Sequence, residues 1–271
     1  MKKFLILFLL LSSIAIPHDE LAEQVQAISL KIRKNPKRAD LYFQRAELYR
    51  ADRHWKQAEQ DYLQAKKLAP KMAVADLGLG LLYLSTNHLN ESKNALDRFL
   101  MQHPENAEAR VARGHVFQKL SQPLAAVEDY SKALSLRPDP EIYIERGKLL
   151  AQQHQLEDAL NGLNEGIDRL GPIVTLELYA IDLELQLKRY EAALERVDRI
   201  AEQSERKETW LARKGEILLM ASRTEDAQKS YLLALDAIEH LPQSRKNNRY
   251  TLELEAKIRL ALENLETNPL K

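Results

Sequence analysis

The feature that most constrains this chain is a recurrence. Tyr49, Tyr83 and Phe117 stand 34 residues apart, as do Ala46, Gly80 and Gly114, and again Pro70, Pro104 and Pro138. An aromatic, a small residue and a proline returning together mark a repeated structural unit, and periods of roughly 20–50 residues build solenoids, propellers or arrays. One such unit cannot bury its own apolar face, so neighbours must stack. Composition selects the kind of unit. Charged residues make up 30% of the chain and aromatics 6%, with eight Gly in 271 residues. Abundant Leu, Ala, Glu, Lys and Arg lose little rotamer freedom in a helix. A sheet protein needs more β-branched and aromatic residues. The length is enough for one or two domains with a sizeable core.

The register resembles the tetratricopeptide-repeat (TPR) family. Counted from Ala39, a first repeat meets the family's pattern at Tyr42, Ala46, Tyr49, Ala58, Tyr62, Ala65 and Pro70. A second, from Ala73, carries Leu79-Gly80, Tyr83, Phe99 and Pro104, and departs from the pattern at Ser92 and Leu96. A third, from Ala107, carries Gly114, Phe117, Ala126, Tyr130, Ala133 and Pro138. The fourth, from Pro140, is spaced 33; it carries Tyr143, Gly147, Leu150 and Ala159 and ends at Gly171-Pro172. The fifth, residues 174–207, is the weakest: Tyr190 and Ala193-Leu194 mark its second helix, but Ile181 stands where Gly or Ala is expected. The sixth, residues 208–241, recovers with Gly215, Ala227, Tyr231 and Ala234.

The resemblance implies an all-α solenoid: a right-handed superhelix of antiparallel helix pairs over residues 39–241, its concave face lined by the first helices. The small residues let the two backbones of a pair approach, the aromatic and Leu positions fill the gaps, and proline stops the second helix. Breaks at Asn35-Pro36, Ser85-Thr86-Asn87, Ser121-Gln122-Pro123 and Arg137-Pro138-Asp139-Pro140 fall where helices should end or begin. Pro123 suits the first position of a helix. Leu21, Val25, Ile28 and Ile32 form one helical stripe, which predicts a capping helix within residues 17–38. Leu254, Ile258, Leu262 and Leu265 form another, with Glu253, Glu255, Lys257 and Arg259 facing away. That stripe predicts a terminal cap over most of residues 244–265, within a closing segment of residues 242–271.

Residues 1–16 are a separate matter. Lys2 and Lys3 precede an apolar run from Phe4 to Leu11, then small and apolar residues to Ile16, with Pro17 next. This is the order of a secretory signal peptide, with cleavage expected after Ala15. The alternative is a short uncleaved membrane anchor, although the run falls short of the ~20 residues that span a bilayer. Either reading puts the remainder outside the cytoplasm, most simply in a bacterial periplasm.

Chemistry is scarce. The chain has no cysteine, which excludes disulfides, thiolate catalysis, Cys-ligated metals and a lipid-carrying Cys. Lys plus Arg equals Asp plus Glu, 40 each, which argues against a nucleic-acid partner. The seven His have no metal spacing, and neither HExxH nor GxSxG occurs. Gly78-Leu79-Gly80 lacks a third Gly and a preceding strand, so it reads as a repeat packing site and not a phosphate loop. Glu157-Asp158 and Glu225-Asp226 read as favourable charge at helix starts. No catalytic residue, metal or cofactor is expected, and the chain reads as non-enzymatic. The basic cluster Lys31, Arg33, Lys34, Lys37 and Arg38 reads as a solvated helix end, ahead of a lipid contact.

The resemblance places ligands on the first helices, at the fifth and ninth places of each repeat. Here these are Phe43 and Glu47, Leu77 and Leu81, Val111 and His115, Ile144 and Lys148. They lack the order of Lys and Asn with which cochaperones of the family clamp a C-terminal carboxylate. Phe43, Leu77, Leu81, Val111 and Ile144 fit an apolar peptide or amphipathic helix, or else pack against their own second helices or the terminal helix. The function expected is a scaffold or adaptor binding a protein segment in this groove, in an envelope-associated assembly. The alternatives are a membrane-tethered oligomerising component and an accessory subunit of a separate enzyme. Membrane contact is expected only through residues 1–16.

Overall fold

A computed structural model of the chain describes residues 18–267, and the expected signal or anchor segment, residues 1–16, lies outside them. Among the described residues there are fifteen helices and no strand, so the all-α class is as the sequence implies. After α1 (His18–Lys34) come six helix pairs: α2 (Ala39–Ala51) with α3 (Trp55–Leu68), α4 (Ala73–Ser85) with α5 (Leu89–Gln102), α6 (Ala107–Lys119) with α7 (Pro123–Leu136), α8 (Pro140–Gln152) with α9 (Leu156–Leu170), α10 (Val174–Gln186) with α11 (Tyr190–Gln203), and α12 (Lys207–Met220) with α13 (Thr224–Glu239). A short α14 (Gln243–Lys246) and α15 (Arg249–Thr267) close the chain. The described helices gather into two compact units, residues 18–133 and 134–267, divided in the last turn of α7.

The turn inside each pair has one geometry. Arg53, Asn87, Ser121, His154, Lys188 and Ser222 all have φ between 57° and 61°. The N–H of the following residue reaches back to the carbonyl five residues earlier, as in His54 to Tyr49 at 2.8 Å and Arg189 to Glu184 at 2.7 Å. The left-handed residue itself donates three back, as Lys188 does to Leu185 at 3.0 Å. These two bonds make a Schellman ending, which satisfies carbonyls the helix leaves open. Glycine usually takes the left-handed place, yet none of the six is glycine. Between pairs the ending differs: Asp139 caps α8 by accepting from Glu141 N–H at 3.0 Å, with Pro140 at the first helical position.

In the first unit, α1 lays its stripe on α2, with Leu21 and Ile32 buried and Val25 and Ile28 half-buried. One apolar cluster joins Ala46, Ala58, Tyr62, Leu79, Leu82 and Ala95, and another joins Leu96, Phe99, Ala109, Ala112 and Val116. Ion pairs are set into this packing. Arg45 on α2 holds Asp61 on α3 with two bonds, Nε to Oδ2 at 2.6 Å and Nη2 to Oδ1 at 2.8 Å. Arg113 on α6 holds Asp129 on α7 the same way, at 2.7 and 2.8 Å. The equivalent places between them hold Leu79 and Ala95, both buried. One position is therefore solved ionically in the first and third repeats and apolarly in the second.

In the second unit, the fifth pair solves its packing by exchange. Ile181 takes the place of the usual small residue and Val197 takes the place of the usual aromatic, and both are fully buried in one cluster. Arg196, on the second helix here, binds Glu177 at 2.6 Å and Glu184 at 2.8 Å on the first. The closing helix differs from expectation in extent. The chain breaks at Asn247-Asn248, where the Asn248 side chain accepts from Thr251 N–H at 2.8 Å and starts α15 afresh. α15 packs on α12 and α13 through buried Ile258 and half-buried Leu254, Leu262 and Leu265.

Candidate functional site

Residues four apart on a helix share a face, which is why the fifth and ninth places of each repeat act as a pair. In the first unit, Phe43 and Glu47 lie on α2, Leu77 and Leu81 on α4, and Val111 and His115 on α6. α2 adjoins α4 and α4 adjoins α6, so these three pairs occupy neighbouring first helices. Ile144 and Lys148 lie on α8, in the second unit.

None of the six first-unit residues is fully exposed and none is fully buried. The Phe43 ring is tilted against Tyr62, with centroids 6.0 Å apart. Glu47 accepts a hydrogen bond from the Tyr62 hydroxyl and another from Arg50 at 2.8 Å, and Arg50 also donates to that hydroxyl at 3.1 Å. Burial and the neighbouring Glu47 charge push the Tyr62 phenol far up, so it stays protonated and donates. Leu77 and Leu81 are packed along one edge against the cluster of Leu96, Phe99 and Val116. The His115 ring stands edge-on to Tyr130 at 5.6 Å. In the second unit Ile144 is half-buried, and the exposed Lys148 holds its ammonium 6.0 Å from the Tyr179 ring.

The face therefore divides by chemistry. Glu47 and His115 are engaged with the tyrosines of their own second helices, and the α4 pair between them is purely apolar. Polar side chains are missing from the centre of the face and present at its sides. Such a surface suits an extended or helical segment that places apolar groups on α4 and polar groups over α2 and α6.

Two clefts escaped the sequence reading. In the first unit, Trp55, Glu59, Leu82, Tyr83, His88 and Glu91 line about 300 Å³, with the Tyr83 hydroxyl donating to Glu59 at 2.6 Å. In the second, Pro172, Val174, Ile200 and Trp210 line about 470 Å³ together with Glu177 and Arg199. Neither holds a residue of the fifth or ninth place. Trp210 was the one visible signal for the second cleft, since no repeat position asks for it. Among the described residues no group of His, Asp and Glu is arranged to hold a metal ion.

Residues 111–172 match the tetratricopeptide-repeat family model. The fold of the chain is that of a tetratricopeptide-repeat solenoid. Solved TPR structures share its fold. YrrB, a TPR protein with an unusual peptide-binding site, is 24% identical with a TM-score of 0.56, over 66% of this chain and 92% of its own. A TPR protein from Parabacteroides merdae is 18% identical with a TM-score of 0.53, over 89% and 93%. The pilF protein of Pseudomonas aeruginosa is 16% identical with a TM-score of 0.52, over 82% and 98%. At these identities the likeness is one of fold. No curated protein matches the chain in sequence.

Proposed function

We propose that this protein is a non-catalytic interaction scaffold whose first-helix face binds an apolar or amphipathic protein segment. The observation that carries the reading is the α4 pair. Leu77 and Leu81 are only half-buried, lie on the helix between those that carry Phe43 (α2) and Val111 (α6), and have no charged residue between them. Apolar surface gathered on one face of a repeat protein is the usual mark of a contact site. The peptide-binding site of YrrB adds support at the level of fold.

The proposed location is the bacterial envelope, outside the cytoplasm. This rests on the order of residues 1–16, with a tethered form if that segment is retained. Among the described residues no helix is long and apolar enough to cross a membrane.

The test is affinity capture from the envelope fraction with the parent and a Leu77→Glu, Leu81→Glu variant, both checked by circular dichroism. A partner bound by the parent and lost by the folded variant supports the face. A partner held equally by both moves the site to the second helices or the termini and overturns the assignment.

A further inference from the structure

A terminal solenoid helix covers the open end of the stack with one face and should offer water a polar face on the other. α15 breaks this rule. Its inner face carries Ile258 into the core. Its outer face presents Leu252 and Leu260, 50% and 58% exposed, with exposed Ala256 midway between them. Their spacing of four residues puts all three on one ridge.

The charges beside that ridge are arranged symmetrically about Ala256 with opposite signs. Arg249 lies seven residues before it and Glu263 seven after. Glu253 lies three before and Arg259 three after. Leu252 and Leu260 lie four on either side. A second α15 laid antiparallel on the first, with the two Ala256 on the dyad, sets Leu252 against Leu260 and Arg249 against Glu263, while Glu253 and Arg259 flank the seam on opposite sides of the ridge. Each contact occurs twice. A parallel pairing in register would set Arg249 against Arg249 and Glu263 against Glu263. Small residues at the crossing point let two helices approach closely.

We infer that the outer ridge of α15 is a self-association surface that takes a second copy of this chain in an antiparallel, two-fold arrangement. The charges need no rearrangement to serve it. Arg249 already bonds Glu253 at 2.6 Å and Arg259 bonds Glu255 at 2.7 Å on the same exposed surface, and Glu263 of the second copy would extend the first of these pairs. Two leucines and an alanine per subunit are a small apolar core. The buried area falls below the ~1,200 Å² of stable interfaces, so the dimer forms at micromolar or higher concentration. The surface is independent of the α4 face and stands whether or not that face binds a peptide.

The test is sedimentation velocity on the full chain over a concentration series, joined with cross-linking. The parent should pass from monomer to dimer, and Leu260→Glu should stay monomeric throughout. Arg249→Glu should weaken the dimer roughly tenfold, because the symmetry repeats the lost pair. Arg249→Glu combined with Glu263→Arg should restore it, which a merely structural role for Arg249 would not produce. The chain has no cysteine of its own, so Ala256→Cys should give a disulfide-linked dimer on mild oxidation. Gln60→Cys, exposed on α3, should not. A parent monomeric at every concentration overturns the inference. So does a dimer indifferent to Leu260→Glu, or an Ala256→Cys chain that cross-links no faster than the Gln60→Cys chain.

Discussion

The Tyr130 ring lies so close over Gly114 that a Cβ at position 114 would stand 2.4 Å from it. Tyr130 is fully buried and cannot turn away. Gly114→Ala should therefore cost about 1–3 kcal/mol by overpacking, less up to ~1 kcal/mol that alanine recovers as a better helix former. The expected result is a lower melting temperature. Tyr130→Val in the same chain should give back part of the loss, because a smaller residue on the second helix makes room for a larger one on the first. A double-mutant cycle measures this coupling, and strict additivity would show that the two residues do not share the space.

The Arg45–Asp61 pair invites a second experiment. The second repeat holds the same place with Leu79 and Ala95, so the fold does not require charge there. Asp61→Ala alone leaves the Arg45 guanidinium half-buried, with Ser29 Oγ at 2.9 Å and the Tyr42 and Tyr49 rings beside it but no carboxylate, and should cost on the order of 3 kcal/mol. Arg45→Leu with Asp61→Ala copies the second repeat and should be far less costly, or neutral. Urea unfolding of both variants decides it. A double variant as unstable as the single one would mean that the ion pair itself holds α2 to α3.

These pairs show what a sequence can and cannot disclose. The recurrence of small, aromatic and proline positions is legible because a helix pair needs close approach, filling and a stop at fixed places. Asp61 and Asp129 are not, because an acid in a charged helix looks like any solvated residue until the partner Arg across the pair is known. The fifth repeat looks weak when Ile181 is judged alone. Val197, sixteen residues later, is the complement that makes it fit, and one-residue patterns miss such exchanges. The left-handed turns at Arg53, Ser121, Lys188 and Ser222 give no signal, since glycine is the usual mark of them. In the candidate face, the register locates Phe43 and Glu47 on the first helix, but only the structure shows both engaged with Tyr62.

Stability should fall in acid through a small set of carboxylates. Burial works to raise Asp97, but hydrogen bonds from Lys93 and Arg113 outweigh it and hold the group below its usual range. Glu165 is lowered against its burial by Tyr143, Arg146 and Arg169, and Glu216 by Lys257 and Arg213. A carboxylate whose folded pKa is lowered contributes fully above its unfolded value, near 4, and loses that contribution as pH falls through the folded value. The melting temperature should be level between about pH 7 and 5 and should fall below about pH 4. Glu216→Gln should lower it at neutral pH and make the acid fall shallower, since Lys257 joins α15 to α12 through that carboxylate. An acid fall of unchanged slope in the variant would remove Glu216 from the set.

Lys188 offers a substitution that should stabilise the chain. Its φ of 57° is a conformation that costs an L-residue roughly 1–2 kcal/mol, and lysine brings no side-chain bond of the kind asparagine uses there. Lys188→Gly removes the steric cost, while glycine's freer unfolded chain gives back about 0.4–1 kcal/mol. The net gain should be about 0.5 kcal/mol, read as a higher urea midpoint at unchanged slope. Asn87→Gly, at the equivalent turn of the second repeat, is the control. Asparagine tolerates the left-handed region, so the steric term is small and the entropic term remains. That variant should be neutral or slightly destabilised. The opposite order, with Asn87→Gly gaining and Lys188→Gly losing, would mean that the backbone bonds of the turn, such as Arg189 N–H to Glu184, already impose the conformation at no steric cost.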